Sequence, residues 1–181
     1  MTHLSNPAAP SDASLEIEDL RVSFDGRTVL DRIDLALSPG GITMLIGPSG
    51  SGKSTLLRAV NRLNDLFPGC KTTGTVRLSL DGRWIEAYSG AYPLPDLRRR
   101  AAMVFQNPNV LPLSIEKNLL IPLRAVLGLS AAEARDRMEW ALAEVQLLEE
   151  VRRRPKENAL TLSGGQQQRL CLARALALEP T

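Results

Sequence analysis

The sequence predicts an α/β fold with an antiparallel β portion and a helical middle, and three observations carry that reading. Apolar and polar residues alternate along Leu15 to Phe24 and again along Thr75 to Leu80, the period of a half-buried strand. A short apolar stretch, Ile42-Thr43-Met44-Leu45-Ile46, runs into a glycine-rich loop that is followed by Leu56, Leu57, Val60 and Leu63 at helical spacing. From Ser114 onward, helix-start residues and helical periodicity dominate.

Met1 to Ser14 is rich in Pro, Ala and Ser, lacks the basic start and apolar centre of a signal peptide, and is expected to be a disordered tail over residues 1–14. The run Leu15, Ile17, Leu20, Val22, Phe24 is then a strand, and Asp25-Gly26 turns it into a second run from Val29 to Leu37. Ser38-Pro39-Gly40-Gly41 breaks that run, and residues 42–46 are expected as a strand buried on both faces inside a sheet. A helix follows over Lys53 to Leu63. Val76, Leu78 and Leu80 form another strand, which the hairpin signal Asp81-Gly82 joins to Trp84 and Ile85. Asp96 to Arg100 reads as a short helix and Ala101 to Phe105 as a second buried strand, with Gln106 just past its end. Ser114 caps a helix through Leu119, Ser130-Ala131-Ala132-Glu133 has capping-box spacing before a helix to about Leu148, and a last helix spans about Gly165 to Leu178. Glu179-Pro180-Thr181 reads as a connection toward another element.

A chain of 181 residues with 44% hydrophobic residues can build one domain with a core. The net charge of +2 is small, and Arg98-Arg99-Arg100 and Arg152-Arg153-Arg154 carry no interleaved aromatics, so they read as solvated faces and no nucleic-acid partner is expected. No apolar stretch approaches the roughly 20 residues that cross a bilayer, so a cytoplasmic location is expected. Cys70 and Cys171 lack metal-ligand spacing and read as reduced thiols, Cys171 as a small buried packing residue. His3, the only histidine, falls in the tail and is not expected to be catalytic.

Gly47-Pro48-Ser49-Gly50-Ser51-Gly52-Lys53-Ser54 satisfies the P-loop pattern in the strand-to-helix context that the pattern needs. Its glycines let backbone N–H groups converge on phosphate oxygens, and the helix N-terminus adds partial positive charge. Lys53 is expected to reach the β- and γ-phosphates of ATP, Ser54 to offer its hydroxyl to Mg²⁺, and Thr55 to face the α-phosphate side. Leu162-Ser163-Gly164-Gly165-Gln166 is a second glycine-containing turn before a helix, able to face an anion; taken alone it is equally an ordinary helix start.

The P-loop, Gln106 after a strand, and Leu162 to Gln166 continued by Gln167-Gln168-Arg169 together resemble the ATP-binding cassette family over roughly Leu15 to Thr181. The resemblance implies a P-loop ATPase core with an antiparallel β subdomain and a helical signature subdomain at about residues 107–165. Gln106, within Val104-Phe105-Gln106-Asn107-Pro108, matches the Q-loop glutamine, which touches Mg²⁺ or the attacking water and couples the site to a membrane partner. Phe24 matches the aromatic position that stacks on adenine, with a strand-end core phenylalanine as the alternative. In this family two ATP-binding subunits pair head to tail, so Ser163, Gly165 and Gln166 would serve nucleotide held by the second subunit. Membrane permease subunits, a solute-binding protein reached indirectly, and a place on the inner face of the cell membrane are implied as well.

Asn61 to Leu66 with Pro68-Gly69, Val104 to Leu113, and Gln166 to Cys171 look like the ATP-binding subunits of bacterial phosphate importers. The segment from Ser114 to Val151 would dock on the permease, with Leu119 to Leu123 either part of that contact or core. The alternatives are a soluble relative acting on DNA or ribosomes and an inactive ATP-binding fragment. The first is disfavoured because about 55 residues separate Gln106 from the signature, with no long coiled-coil insertion. Family members continue past the signature helix into a strand ending in Asp-Glu, a further loop and a switch histidine. None of these occurs here, and Asp81 precedes Gly82 in a hairpin turn. The C-terminal core strands are therefore expected to be missing, with ATP turnover and stability reduced.

Overall fold

β1 (Leu15–Phe24) and β2 (Arg27–Leu37) pair antiparallel across a two-residue turn in which Asp25 and Gly26 both take positive φ, 48° and 80°. That geometry matches the twist of paired strands and is why Asp-Gly marks a hairpin. The structure, a computed structural model, describes residues 14–180; residues 1–13, including His3, and Thr181 lie outside the described residues. β3 (Cys70–Leu80) pairs antiparallel with the other edge of β1, and β4 (Arg83–Glu86) with β3 through the Asp81-Gly82 turn. The order is β2-β1-β3-β4. Ser14 joins this sheet, its N–H donating to the Leu37 carbonyl at 2.7 Å.

Apolar burial skips from Ile17 to Leu20, three residues rather than two, and the backbone absorbs the extra residue as a bulge with Asp19 at φ 45°. Opposite it, Gly74 sits at φ +95°, where a Cβ would lie 2.4 Å from the Asp19 carbonyl oxygen. The bulge returns Leu20 and Val22 to the face already occupied by Ile17, where Val76, Leu78 and Leu80 join them in one core cluster. α1 (Lys53–Val60) packs Leu56 and Ala59 into that cluster, and α2 (Leu94–Arg100) adds Leu97. α1 ends before the expected Leu63 because Arg62 takes φ 59°, and a 3₁₀ turn, Leu63–Leu66, follows.

Two expected strands are absent. Residues 42–46 are irregular, with Ile42 99% and Ile46 82% exposed, and residues 101–105 are irregular with Phe105 at the surface. An apolar strand is stable only where a neighbour takes its N–H and C=O groups, and among the described residues no strand pairs with either segment. Sequence pattern marks such a segment as capable of being buried; it does not supply the ladder.

Contacts divide the chain into two compact units, one through Ala101 and one from Ala102 to Pro180. The second holds α3 (Ile115–Leu127), α4 (Ala131–Glu144), α5 (Leu148–Val151) and α6 (Gly164–Ala177). Ser114 caps α3 as expected, but the helix continues through Pro122 to Leu127, because Leu119 and Leu123 are wholly buried on either side of the proline. Ser130 and Glu133 form both halves of a capping box at α4, and the Ser130 hydroxyl and backbone N–H hold the exposed Glu133 carboxyl below its ordinary pKa. α4 stops at Glu144, short of Leu148, because Gln146 takes φ 54° and turns the chain. Among the described residues no helix is long and apolar enough to cross a membrane.

The Leu119 to Leu123 stretch is split, with Leu119 and Leu123 in the core cluster and Ile121 46% exposed. Leu119→Ala is therefore expected to lower stability by about 2–5 kcal/mol in urea unfolding followed by circular dichroism. Ile121→Ala should stay within about 0.5 kcal/mol of the parent.

Candidate functional site

The glycine-rich loop enters α1 through a helix start that side chains leave open. Gly52 is the N-cap, at φ 90° and ψ 1°, with no side-chain capping bond and no acidic residue in the first turn. Backbone closes the turn, with the Ser51 N–H on the Pro48 carbonyl at 3.3 Å and the Leu56 N–H on the Gly52 carbonyl at 2.9 Å. The N–H groups that begin an α-helix have no intrahelical acceptor and carry its positive end, so this terminus favours an anion. Gly52 also rests on β2: a Cβ there would lie 2.8 Å from Leu30 Cδ2 and 3.4 Å from the Val29 carbonyl oxygen. A side chain there would have to displace the end of Leu30 and sit on a left-handed backbone.

Lys53 folds over the loop, its Nζ donating to the carbonyls of Gly47 at 2.8 Å and Pro48 at 2.6 Å and lying 3.4 Å from Ser51 Oγ. Ser49, Gly50 and Ser54 are exposed and Thr55 is half-buried. The Thr55 carbonyl accepts from Nδ2 of buried Asn64 at 2.9 Å, which ties the 3₁₀ turn to α1. Residues 47–55 contribute an ammonium, hydroxyls and amide donors and no carboxylate. That donor set fits a polyphosphate, and the exposed Ser54 hydroxyl is the kind of neutral oxygen that Mg²⁺ accepts as a ligand.

Phe24 is half-buried and packs against the sheet cluster, with Phe67 edge-on at 6.0 Å and 87°. Arg58 lies over the Phe67 ring at 5.2 Å. The sequence reading missed Phe67. Its only signal was the Pro68-Gly69 turn, which returns the chain to β1, where the Asp25 N–H donates to the Gly69 carbonyl at 3.1 Å.

Phe24 and the glycine loop belong to the first unit, Gln106 and Ser163 to Gln166 to the second. Gln106 is exposed in an irregular segment. Ser163 and Gln166 cap each other at the start of α6: Ser163 Oγ accepts from the Gln166 N–H at 3.4 Å, and Gln166 Oε1 accepts from the Ser163 N–H at 3.0 Å. Gly165 is exposed, and a Cβ there would meet nothing within 4 Å. Gln166 Nε2 also donates to Glu150 Oε2 at 2.7 Å, while Arg169 pairs with Glu150 Oε1 at 2.6 Å. Glu150 was not anticipated, because a partner 16 residues upstream leaves no local periodicity to read.

A family model described as ABC transporter matches residues 30–181. The chain is 43% identical over 181 residues to the phosphate import ATP-binding protein PstB 2 of Aliivibrio fischeri, covering 99% of this chain and 63% of that protein. It is 44% identical to the phosphate import ATP-binding protein PstB of Cytophaga hutchinsonii over 92% of this chain and 66% of the relative. The chain thus spans under two thirds of the length of these curated relatives. Among solved structures, cbiO1 from Clostridium perfringens, part of the ABC transporter complex cbiONQ, superposes with a TM-score of 0.74 at 25% identity, covering 94% of this chain and 63% of that one.

Gly52→Ala is expected to destabilise the chain by at least about 1–2 kcal/mol from the left-handed backbone alone, before the contact with Leu30 is counted. Urea unfolding measures this, and an unchanged midpoint would show that the loop does not seat on β2 in this way.

Proposed function

We propose that this chain, which belongs to the ABC transporter family, binds ATP through Gly47 to Thr55 and is the ATP-binding part of a phosphate importer. The observation that carries the reading is the Lys53 ammonium held over a glycine loop at the open start of α1. The relatives at 43–44% identity are phosphate import ATP-binding proteins, which supports the importer and its solute.

In this reading Lys53 gives up the Gly47 and Pro48 carbonyls for β- and γ-phosphate oxygens, a charge-assisted exchange that strengthens both hydrogen bonds and neutralises the developing charge. The backbone N–H groups of the loop and first helical turn take the remaining phosphate oxygens. Ser54 is the residue assigned to hold Mg²⁺, which when bound supplies further neutralisation of the phosphates. Phe24, with Phe67 beside it, is the aromatic surface assigned to adenine. Gln106 is assigned to sense nucleotide state and pass it to a permease. Ser163, Gly165 and Gln166 face the nucleotide of a second, head-to-tail subunit. What supports this is that Ser163 and Gly165 are exposed and that the glycines of the helix start carry no side chain to block a phosphate.

Lys53→Ala removes hydrogen bonds to a charged group worth about 1.5–3 kcal/mol, so nucleotide affinity should fall roughly 10- to 150-fold. Titration with a fluorescent ATP analogue reads this directly, and equal affinity in two folded proteins would sink the assignment. The importer part is checked by site-directed cross-linking from residues 114–151 to the permease subunits of a phosphate importer, and a complete lack of permease adducts counts against it.

A further inference from the structure

The segment that carries Gln106 has neither a ladder nor a helix of its own; residues 102–113 are irregular. Side chains hold it instead. Gln168 Nε2 donates to the Phe105 carbonyl at 2.9 Å, and Arg174 Nη2 donates to the Asn109 carbonyl at 2.6 Å. Wholly buried Asn118 holds the next stretch, accepting from the Leu111 N–H at 2.8 Å and donating to the Leu111 carbonyl at 3.1 Å. The first two anchors come from one element, α6, and they fall on either side of Gln106. The same helix begins with the Ser163 to Gln166 turn.

We propose that Gln168 and Arg174 are positioning residues, which grip the backbone on both sides of Gln106 and make Gln106 and the Ser163 to Gln166 turn move as one piece. The inference rests on the roles given to those two groups in the proposed function. α6 is suited to be the rigid member, because its N-terminus is closed by a capping box and Leu170, Ala173 and Ala177 anchor it in the core cluster. Arg174 makes the stronger grip. Its charged guanidinium gives the short bond to Asn109 and also reaches Asn118 Oδ1 at 3.5 Å, so the helix, the loop and α3 meet at one group.

Gln168 Oε1 is buried without a hydrogen-bond partner among the described residues, a cost that an apolar side chain of the same length avoids. The donor contact to the Phe105 carbonyl is what glutamine supplies here and leucine does not. A disturbance at the Ser163 turn therefore reaches Gln106 through two hydrogen bonds on one stiff helix, with no strand or second helix between them.

Backbone ¹⁵N relaxation on the full chain, recorded without nucleotide, tests this. In the parent, amides 106–109 should show order parameters near 0.85, and Arg174→Ala and Gln168→Leu should lower them toward about 0.6, while amides of α4 stay unchanged. Arg174→Lys, which keeps one cationic donor, should recover part of the order. Gln168→Leu removes the orphan acceptor as well as the donor, so it is expected to fold and to keep the test readable if Arg174→Ala does not. As the second readout, Ser163→Ala should shift the resonances of residues 105–109 in the parent and by clearly less in the Gln168→Leu/Arg174→Lys background. Unchanged order in the variants, low order already in the parent, or equal Ser163→Ala shifts in both backgrounds would each overturn the proposal. Failure of the ATP reading appears separately, as undiminished nucleotide binding by Lys53→Ala.

Discussion

Backbone pairing along both edges of β1 is the constraint on which the first unit depends. β1 has β2 on one side and β3 on the other, and it alone places Ile17, Leu20 and Val22 beneath a helix. β2 is held by β1, and Leu30 on β2 is the surface against which Gly52 closes. The open end of α1 is thus positioned by hydrogen bonds between strands that precede it in sequence. Where pairing is lacking, as at residues 42–46, the same apolar chemistry yields no element.

In the second unit the organising role passes from ladder to side chain. The 113–116 segment is bound to 155–159 by a few backbone bonds, among them the Ile115 N–H on the Glu157 carbonyl at 2.9 Å and the Ala159 N–H on the Leu113 carbonyl at 2.8 Å. Beyond these, Asn118, Gln168 and Arg174 hold the irregular chain by its peptide groups. A peptide group in an irregular segment has no regular neighbour, and a polar side chain from a packed helix can hold it in place instead.

Much of this was legible because it is local. The two Asp-Gly hairpins, the Ser114 and Ser130 caps and the glycine loop each depend on residues within a few positions of one another. What failed depended on distant partners. Residues 42–46 and 101–105 carry the pattern of buried strands, but a strand's existence is decided by its neighbours, which a local pattern does not contain. Helix ends moved for a related reason: α3 outlasts Pro122 because burial of Leu123 outweighs the proline, and α4 stops early because Gln146 adopts a left-handed turn that few sequence signals mark. At the site, Lys53 and its loop were readable, whereas Phe67 and Glu150 were not, since each matters through a contact made across the fold. Phe24 was singled out for its position, and the structure shows its ring half-buried at the strand end with Phe67 edge-on beside it.

The bulge at Asp19 bears on how this sequence can drift. Gly74 is exposed and takes no part in any proposed chemistry, yet a methyl group there would run into the Asp19 carbonyl while the backbone sat at φ +95°. Such a position would stay glycine through long divergence and score as intolerant in a mutational scan, as Lys53 would. Invariance at Gly74 would record the sheet's need for one extra residue in β1, and an alignment alone would not tell it apart from a ligand contact. Reading intolerance as catalysis in this protein requires first asking which backbone the side chain would strike.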